Sequence, residues 1–527
     1  MLEPDSRATP SAEEAIARVS GLEAENAQLR AELAAREQRI QILEQVLRVL
    51  KAGRFGPRRE KLTETPGQGA LFNEVEAIAE LLELAGTEAP LRATPLREPK
   101  IPASHSAGRK ALASHLPRVE IIHELPEAER TCSCGTTLVE IDSPEVSEQL
   151  DYVPAKVQVL RHVRKKYACP GCQRCVRTAA APPQILPRSN AAPGLIAHLV
   201  TSKYVDALPL YRLETIFERH EVSLPRATQA AWMIGAGESA QPLLNLMDER
   251  LRGSGYICMD ETPVQVLRSD KSPSSEHWMW VRLTGPPGQR IVLFNYDPGR
   301  GAGAAEWLLE GSRGYLQTDG YAVYDGVAER LGLTHVGCVA HLRRKFFEAI
   351  KALPPAQQKI PTAAHEAVRR IDALYAIERE AKEFDPEDRR RLREHQSRPL
   401  LESLYAWAQR LRQDTLPSGK LGQALDYLSS QWPKLLRYLD DGRLAIDTNL
   451  VENAIRPFAL GRRNWLFADT VKGAQASAAL YSLVATARAN ALEPYAYLRR
   501  LFEELPAAKS VADFEQLLPF KPVEQAA

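Results

Sequence analysis

Cysteine is scarce in this chain, and the little there is lies unevenly. Seven occur in 527 residues, and five of those crowd between Cys132 and Cys175. A secreted scaffold held by disulfides would spread cysteines through a short chain, so the clustering argues for metal binding in a reducing compartment. Apolar runs of membrane-spanning length are lacking too, and the opening Met-Leu-Glu-Pro-Asp-Ser-Arg is not a signal peptide. A surplus of either charge is also missing, with 68 Lys and Arg against 67 Asp and Glu. No global field then draws a polyanion to the protein, and any nucleic-acid affinity must come from local patches. A soluble, cytoplasmic protein of about three or four domains is expected. No G-x-x-x-x-G-K-[ST] occurs, which argues against an ATP-driven motor.

What is present begins with a heptad. Positions a are Val19, Asn26, Leu33, Ile40 and Leu47, and positions d are Leu22, Leu29, Arg36, Leu43 and Leu50. Such a run predicts a coiled coil over residues 14–52 and a homodimer or higher homo-oligomer, with Asn26 favouring a parallel pair. Residues 53–117 follow as a basic segment (Arg54, Arg58, Arg59, Lys61) and a proline-rich linker. In residues 118–187, Cys132, Cys134, Cys169 and Cys172 can present four thiolates to Zn2+, with strands such as Gln158–Val163 between the pairs. The first pair is C-x-C, a poorer chelate than C-x-x-C, and Cys175 is a substitute thiol.

Residues 188–250 read as helices over Leu195–Tyr204, Leu210–Arg219 and Pro225–Gly237. The break at Glu221–Pro225 fits a helix-turn-helix, which would put Arg226 at the major groove. From Gly255 the pattern turns to strands: Tyr256–Met259, Trp278–Leu283, Ile291–Tyr296, Gly314–Thr318 and Thr334–Val339. Three antiparallel strands followed by alternating helices and strands is the order of an RNase H-like core, expected over 251–475. Residues 346–440 read as a helical insertion, and 476–527 as a C-terminal helical region. The fold class is thus multidomain α/β. Gly299-Arg300-Gly301-Ala302-Gly303-Ala304 fits the outline of a dinucleotide fingerprint, but Asp297-Pro298 separates it from the strand and the helix after it is short.

Asp260 and Asp319 each stand where an apolar run stops, and Glu452 lies in a third acidic word. Carboxylates of this kind could hold two divalent metals for phosphodiester chemistry. Spacing alone is unspecific, since Asp260 could cap a helix and Glu452 could pair with Arg456. The surrounding words narrow the choice. Met-Asp-Glu-Thr-Pro, Gln-Thr-Asp-Gly-Tyr-Ala-Val-Tyr, Gly-Cys-Val-Ala-His-Leu-Arg-Arg-Lys-Phe and Asp-Thr-Asn-Leu-Val-Glu-Asn-Ala-Ile-Arg-Pro occur in this order.

Together they resemble the insertion sequence 66 family of bacterial DDE transposases. So do Ser202–Arg212, Ala491–Leu498 and the N-terminal modules. The resemblance implies a catalytic triad of Asp260, Asp319 and Glu452 binding Mg2+, with Mn2+ as a substitute. It implies DNA as substrate and companion proteins from the same element. A C-x-x-H element matches Cys338 and His341, for which a positioning role is expected. Arg343, Arg344, Lys345, Arg456, Arg462 and Arg463 are expected at phosphates. Thr448 stands where Asn is more usual, a departure expected to leave the triad untouched. Rival expectations are a DNA-binding regulator with a dead core, and a nuclease without strand transfer.

Overall fold

The computed structural model describes residues 157–168 and 176–520, with isolated positions at 26, 28, 30, 36 and 40. Most of the heptad run, the basic segment, the linker and Cys132, Cys134, Cys169, Cys172 and Cys175 lie outside the described residues. Of the heptad positions, Asn26, Arg36 and Ile40 are helical and exposed. The chain forms two compact units. One is Thr87–Val163, whose residues 157–163 are exposed and carry no regular secondary structure, so the strand expected at Gln158–Val163 is not there. The other is mixed α/β with helices in the majority.

That larger unit contains a short antiparallel ribbon, β1 (Lys166–Ala168) with β2 (Val176–Thr178). Four helices follow: α1 (Pro193–Tyr204), α2 (Leu210–Glu218), α3 (Arg226–Ser239) and α4 (Gln241–Gly253). Prolines mark all four of their starts. Pro193 and Pro242 sit in first turns, Pro209 just before α2 and Pro225 just before α3, where no intrahelical N–H is needed. The α2–α3 turn is closed from inside by Gln229, whose Nε2 donates to the Leu224 carbonyl at 2.8 Å. Arg226 and Ala227 open α3 in solvent, while Met233, Ala236 and Gly237 face the interior.

β3 (Tyr256–Arg268), β4 (Glu276–Thr284) and β5 (Ile291–Asp297) form an antiparallel meander. After α5 (Ala302–Leu309) comes β6 (Tyr315–Gln317), parallel to β3. After α6 (Val323–Leu331) comes β7 (Thr334–Val336), parallel to β6. The sheet order is β5-β4-β3-β6-β7. Then come α7 (Val339–Lys351), α8 (Ala363–Glu380), α9 (Pro386–Leu392), α10 (Arg398–Gln413) and α11 (Lys420–Leu436), the expected helical stretch. The chain returns to the sheet with α12 (Asn449–Trp465) and β8 (Phe467–Thr470). It finishes with α13 (Val471–Ala489), α14 (Pro494–Glu504) and α15 (Val511–Gln516). The position 475/476, expected as a boundary, falls inside α13.

Two strand expectations are corrected. β3 does not stop at Met259. β4 pairs with it as far as Gln265, so Asp260 lies within a strand rather than at its end. On the other side β6 pairs only through Cys258, and β8 takes over at Gln265. Residues 259–264 therefore have one unpaired edge. Pro263, which has no N–H to offer, sits there without loss of a ladder bond. The strand expected to reach Val339 ends at Val336, and Cys338 instead caps α7. The C-x-x-H element is thus the first turn of a helix.

Among the described residues two main cores result, beside a small cluster of Ala349, Ile350 and Ala364. The first joins the sheet to α1–α4 and to α12–α14, through residues such as Trp280, Phe294, Val451, Ile455, Phe458 and Tyr481. The second runs from Val336 to Ile446 and is built by α7, α8, α10 and α11, with Phe346, Ile371, Leu404 and Leu428 at its centre. Tyr256 packs against both. The outer edge of β5 is satisfied by α13. Ser482, Thr486 and Asn490 take up the amides of Phe294, Val292 and Arg290 at 2.8, 3.0 and 2.8 Å. Four helical residues rise about 6 Å and two strand residues about 6.8 Å, so the spacings match.

Candidate active site

The register of β3 against β6 is set by two glycines. Gly255 and Gly314 both have left-handed φ, at +76° and +85°, and a Cβ on Gly314 would lie 2.2 Å from the Gly255 carbonyl oxygen. Tyr315 N donates to that same oxygen at 3.0 Å. Tyr256 then faces Tyr315 and Cys258 faces Gln317. Asp260 is four residues past Tyr256, and Asp319 is four past Tyr315. Asp260 thus lies in β3 two residues beyond its last pair with β6, and Asp319 lies two residues past the end of β6, in the loop that follows.

Glu452 comes from the first turn of α12, whose Val451, Ile455 and Phe458 face the sheet core. Burial first, then the charges of Glu261, Glu452 and Asp319, hold the Asp260 carboxyl well above the usual range. Asp260 Oδ1 accepts from the Glu261 amide at 2.9 Å, and Asp319 Oδ1 accepts from the Tyr321 amide at 2.9 Å. Neither the helix-cap reading of Asp260 nor a Glu452–Arg456 pair survives. Asp260 is in a strand, and the contacts of Glu452 among the described residues are to Thr448 and His341.

Thr448 does touch the glutamate, contrary to expectation. Its Oγ1 donates to Glu452 Oε1 at 2.9 Å and lies 3.2 Å from Cys338 Sγ, which also accepts from the Thr448 amide at 3.3 Å. Burial pushes the Cys338 thiol up to about 12. His341 Nδ1 is buried, has no hydrogen-bond partner among the described residues and stands 3.9 Å from Glu452 Oε1. Burial lowers its pKa against the opposing pull of Glu452, so the ring tends towards neutral. Cys338, His341 and Glu452 offer donor atoms within 4.8 Å of one another. A thiol held protonated is a poor metal ligand at neutral pH, so the donor set that suits a hard divalent cation is the carboxylate group. Crowded carboxylates of this kind are relieved by a cation.

Asp447 was missed by sequence reasoning. It is buried, accepts from Tyr375 Oη on α8 at 2.8 Å, and starts α12 by accepting from Asn449 N at 3.1 Å. Glu261 and Arg300 were missed as well, although both sit in words already singled out. Two of the expected phosphate contacts are corrected. Arg343 is 1% exposed and donates through Nε to Asp372 at 2.8 Å, which ties α7 to α8. Arg462 donates to the Pro263 carbonyl on the unpaired edge of β3, which docks α12 there. Arg344, Lys345 and Arg456 are half-buried, and Arg226 and Arg463 are exposed.

Residues 188–476 match the family model described as Transposase IS66 family. The chain belongs to the insertion sequence 66 transposase family. Further family models cover the flanks. The zinc-finger binding domain of transposase IS66 matches residues 129–173, which include Cys132, Cys134, Cys169 and Cys172 but not Cys175. The IS66 C-terminal element matches 482–520, and the model described as Transposase C of IS166 homeodomain matches 42–121. Similar chains include the uncharacterized proteins y4qI and y4jD of Sinorhizobium fredii. The first is 32% identical and covers 96% of this chain and 94% of its own length. The second is 32% identical over 78% of this chain and 81% of its own. Family membership implies a nucleic-acid-processing enzyme with a zinc finger and a leucine-zipper-like segment.

Proposed function

We propose that this transposase binds the terminal inverted repeats of its element, cleaves the 3′ ends and transfers them into target DNA. The carrying observation is that Asp260 in β3, Asp319 just past the end of β6 and Glu452 on α12 come close enough for the charges of the other two to raise the Asp260 pKa. Sheet order β5-β4-β3-β6-β7, with the first three strands antiparallel, supports an RNase H-like core. Asp260, Asp319 and Glu452 would hold Mg2+, with Mn2+ as substitute. When bound, such ions stabilise charge on phosphodiester oxygens and acidify the attacking hydroxyl.

The chain's own residues do the rest. Thr448 holds Glu452 Oε1, Cys338 holds Thr448, and His341 Nδ1 stands 3.9 Å from the same oxygen. These three act as positioning residues. Arg226 on α3, Arg344 and Lys345 on α7, and Arg456 and Arg463 on α12 would meet phosphates. Zn2+ held by Cys132, Cys134, Cys169 and Cys172 would order the finger, and the segment around Val19–Leu50 would pair two copies in the cytoplasm, with companion proteins joining on DNA.

The test is a cleavage and strand-transfer assay on labelled element ends, comparing the intact protein with Glu452→Gln, with magnesium and with chelator. Magnesium-dependent nicking and joining are expected, falling by at least about 100-fold in the variant. Nicking without joining would mean a plain nuclease. Binding without chemistry in the intact protein would mean a DNA-binding regulator.

A further inference from the structure

The loop that imitates a dinucleotide fingerprint carries Arg300, and the function proposed above leaves that residue unused. Arg300 Nε donates to Glu261 Oε1 at 2.9 Å. Its guanidinium carbon lies 4.6 Å from the Trp278 ring centre and 4.3 Å from that of Tyr321. Glu261 is itself fixed: its side chain is 3% exposed, and Tyr324 Oη donates to its second oxygen. Tyr321 is the residue whose amide binds Asp319, and Glu261 follows Asp260 directly in β3. The loop beneath is held by Asp297 Oδ1 accepting from Gly299 N at 2.6 Å, and by Trp280 Nε1 donating to the Gly299 carbonyl at 3.2 Å. Yet the Arg300 side chain is 42% exposed. Among the described residues its two terminal nitrogens have no hydrogen-bond partner.

An arginine that is nearly half exposed would ordinarily sample many rotamers, and an ion pair at the surface contributes little stability. Here two rings and a buried carboxylate fix one orientation in advance. The outer edge of the fork, with two nitrogens, stays open to solvent. It stands beside the carboxylates that would otherwise repel a polyanion. A planar fork of this kind matches phosphate oxygens in a way a lysine does not.

We propose that Arg300 binds a backbone phosphate of the DNA next to the bond being cut, and that Glu261, Trp278 and Tyr321 hold it ready to do so. This rests on the transposase reading. Loss of Arg300 would remove one phosphate contact and misplace the strand at the acids.

The experiment measures binding of the full-length protein to a labelled duplex carrying an element end, across a salt series, for the intact protein, Arg300→Gln and Arg300→Lys. Glutamine keeps a planar group and a donor for Glu261 but no charge. Its plot of log K against log salt should be shallower by about 0.9, the value of one phosphate contact on duplex DNA, while the lysine variant keeps most of the slope. Cleavage should fall in both, more in the glutamine variant. An unchanged slope in Arg300→Gln would overturn the proposal. So would equal slope losses in Gln and Lys, since that would point to packing rather than charge. Unchanged circular dichroism and melting temperature across the three proteins separate charge from misfolding. If the intact protein binds but never cleaves, the transposase reading fails while the slope comparison still decides the role of Arg300.

Discussion

The two cores of the large unit are built differently, and the difference places the acids. The sheet core draws on sequence from α1 to α14, with Phe458 packed between the rings of Phe294, Trp465 and Tyr481. The helical core is local, drawn from Val336 to Ile446. Asp260 and Glu452 stand on elements of the sheet core, whereas Cys338 and His341 open a helix whose Val339, Leu342 and Phe346 belong to the helical one. Buried polar groups gather along the join: Gln317, Thr318, Cys338, Asp447 and Thr448. A buried network of this kind is costly unless fully satisfied, so its persistence at the join fits a functional demand.

The sharpest way to break the division is to damage each core alone. Phe458→Ala should cost about 3–5 kcal/mol and Leu428→Ala about 2–5 kcal/mol in denaturant unfolding. Hydrogen exchange should then differ: the Leu428 variant releases amides in residues 339–446 while the strands stay protected. Matching release patterns in both variants would show that the cores are one. A smaller change probes the join. Tyr375→Phe removes the 2.8 Å bond to Asp447 and should cost about 1–2 kcal/mol. Its cleavage rate should fall further than that loss of stability explains, because Asp447 holds the first amide of α12. A rate unchanged at full folding would detach the helical core from the chemistry.

The smallest effect is one of pH. His335 is held between Thr318 Oγ1 and Asp325 Oδ1, both at 2.8 Å, and burial followed by the Lys434 charge lowers its pKa below the ordinary 6.5. The folded protein thus resists protonating it. Its contribution is complete above 6.5 and is lost as pH falls below that value. The melting temperature should drop more between about pH 7.5 and 5.5 for the intact protein than for His335→Gln. Parallel curves would remove His335 as the cause.

Much of this was legible in the residues. The helix–strand order, the α2–α3 turn and the helical stretch after Lys345 follow from prolines and from the change in apolar period. The acids were legible from the words around them rather than from spacing. The length of β3 was not, because Pro263 reads as a stop unless one edge of the strand is known to be unpaired. Arg343 and Arg462 read as free cations because local sequence cannot show that Asp372 and the Pro263 carbonyl wait for them. Thr448 was dismissed for a related reason. Glu452 is one turn along its own helix, but Cys338, 110 residues away, is reached only when two helix starts meet.

The row of Ser482, Thr486 and Asn490 along β5 bears on how copies of this protein can gather. A sheet whose rim still offers amides and carbonyls can be extended by a strand from a neighbour, and a crowded DNA complex is where such fusion would be most damaging. Here Arg290, Val292 and Phe294 have already given theirs to a helix of the same chain. Self-association along that rim is therefore closed off.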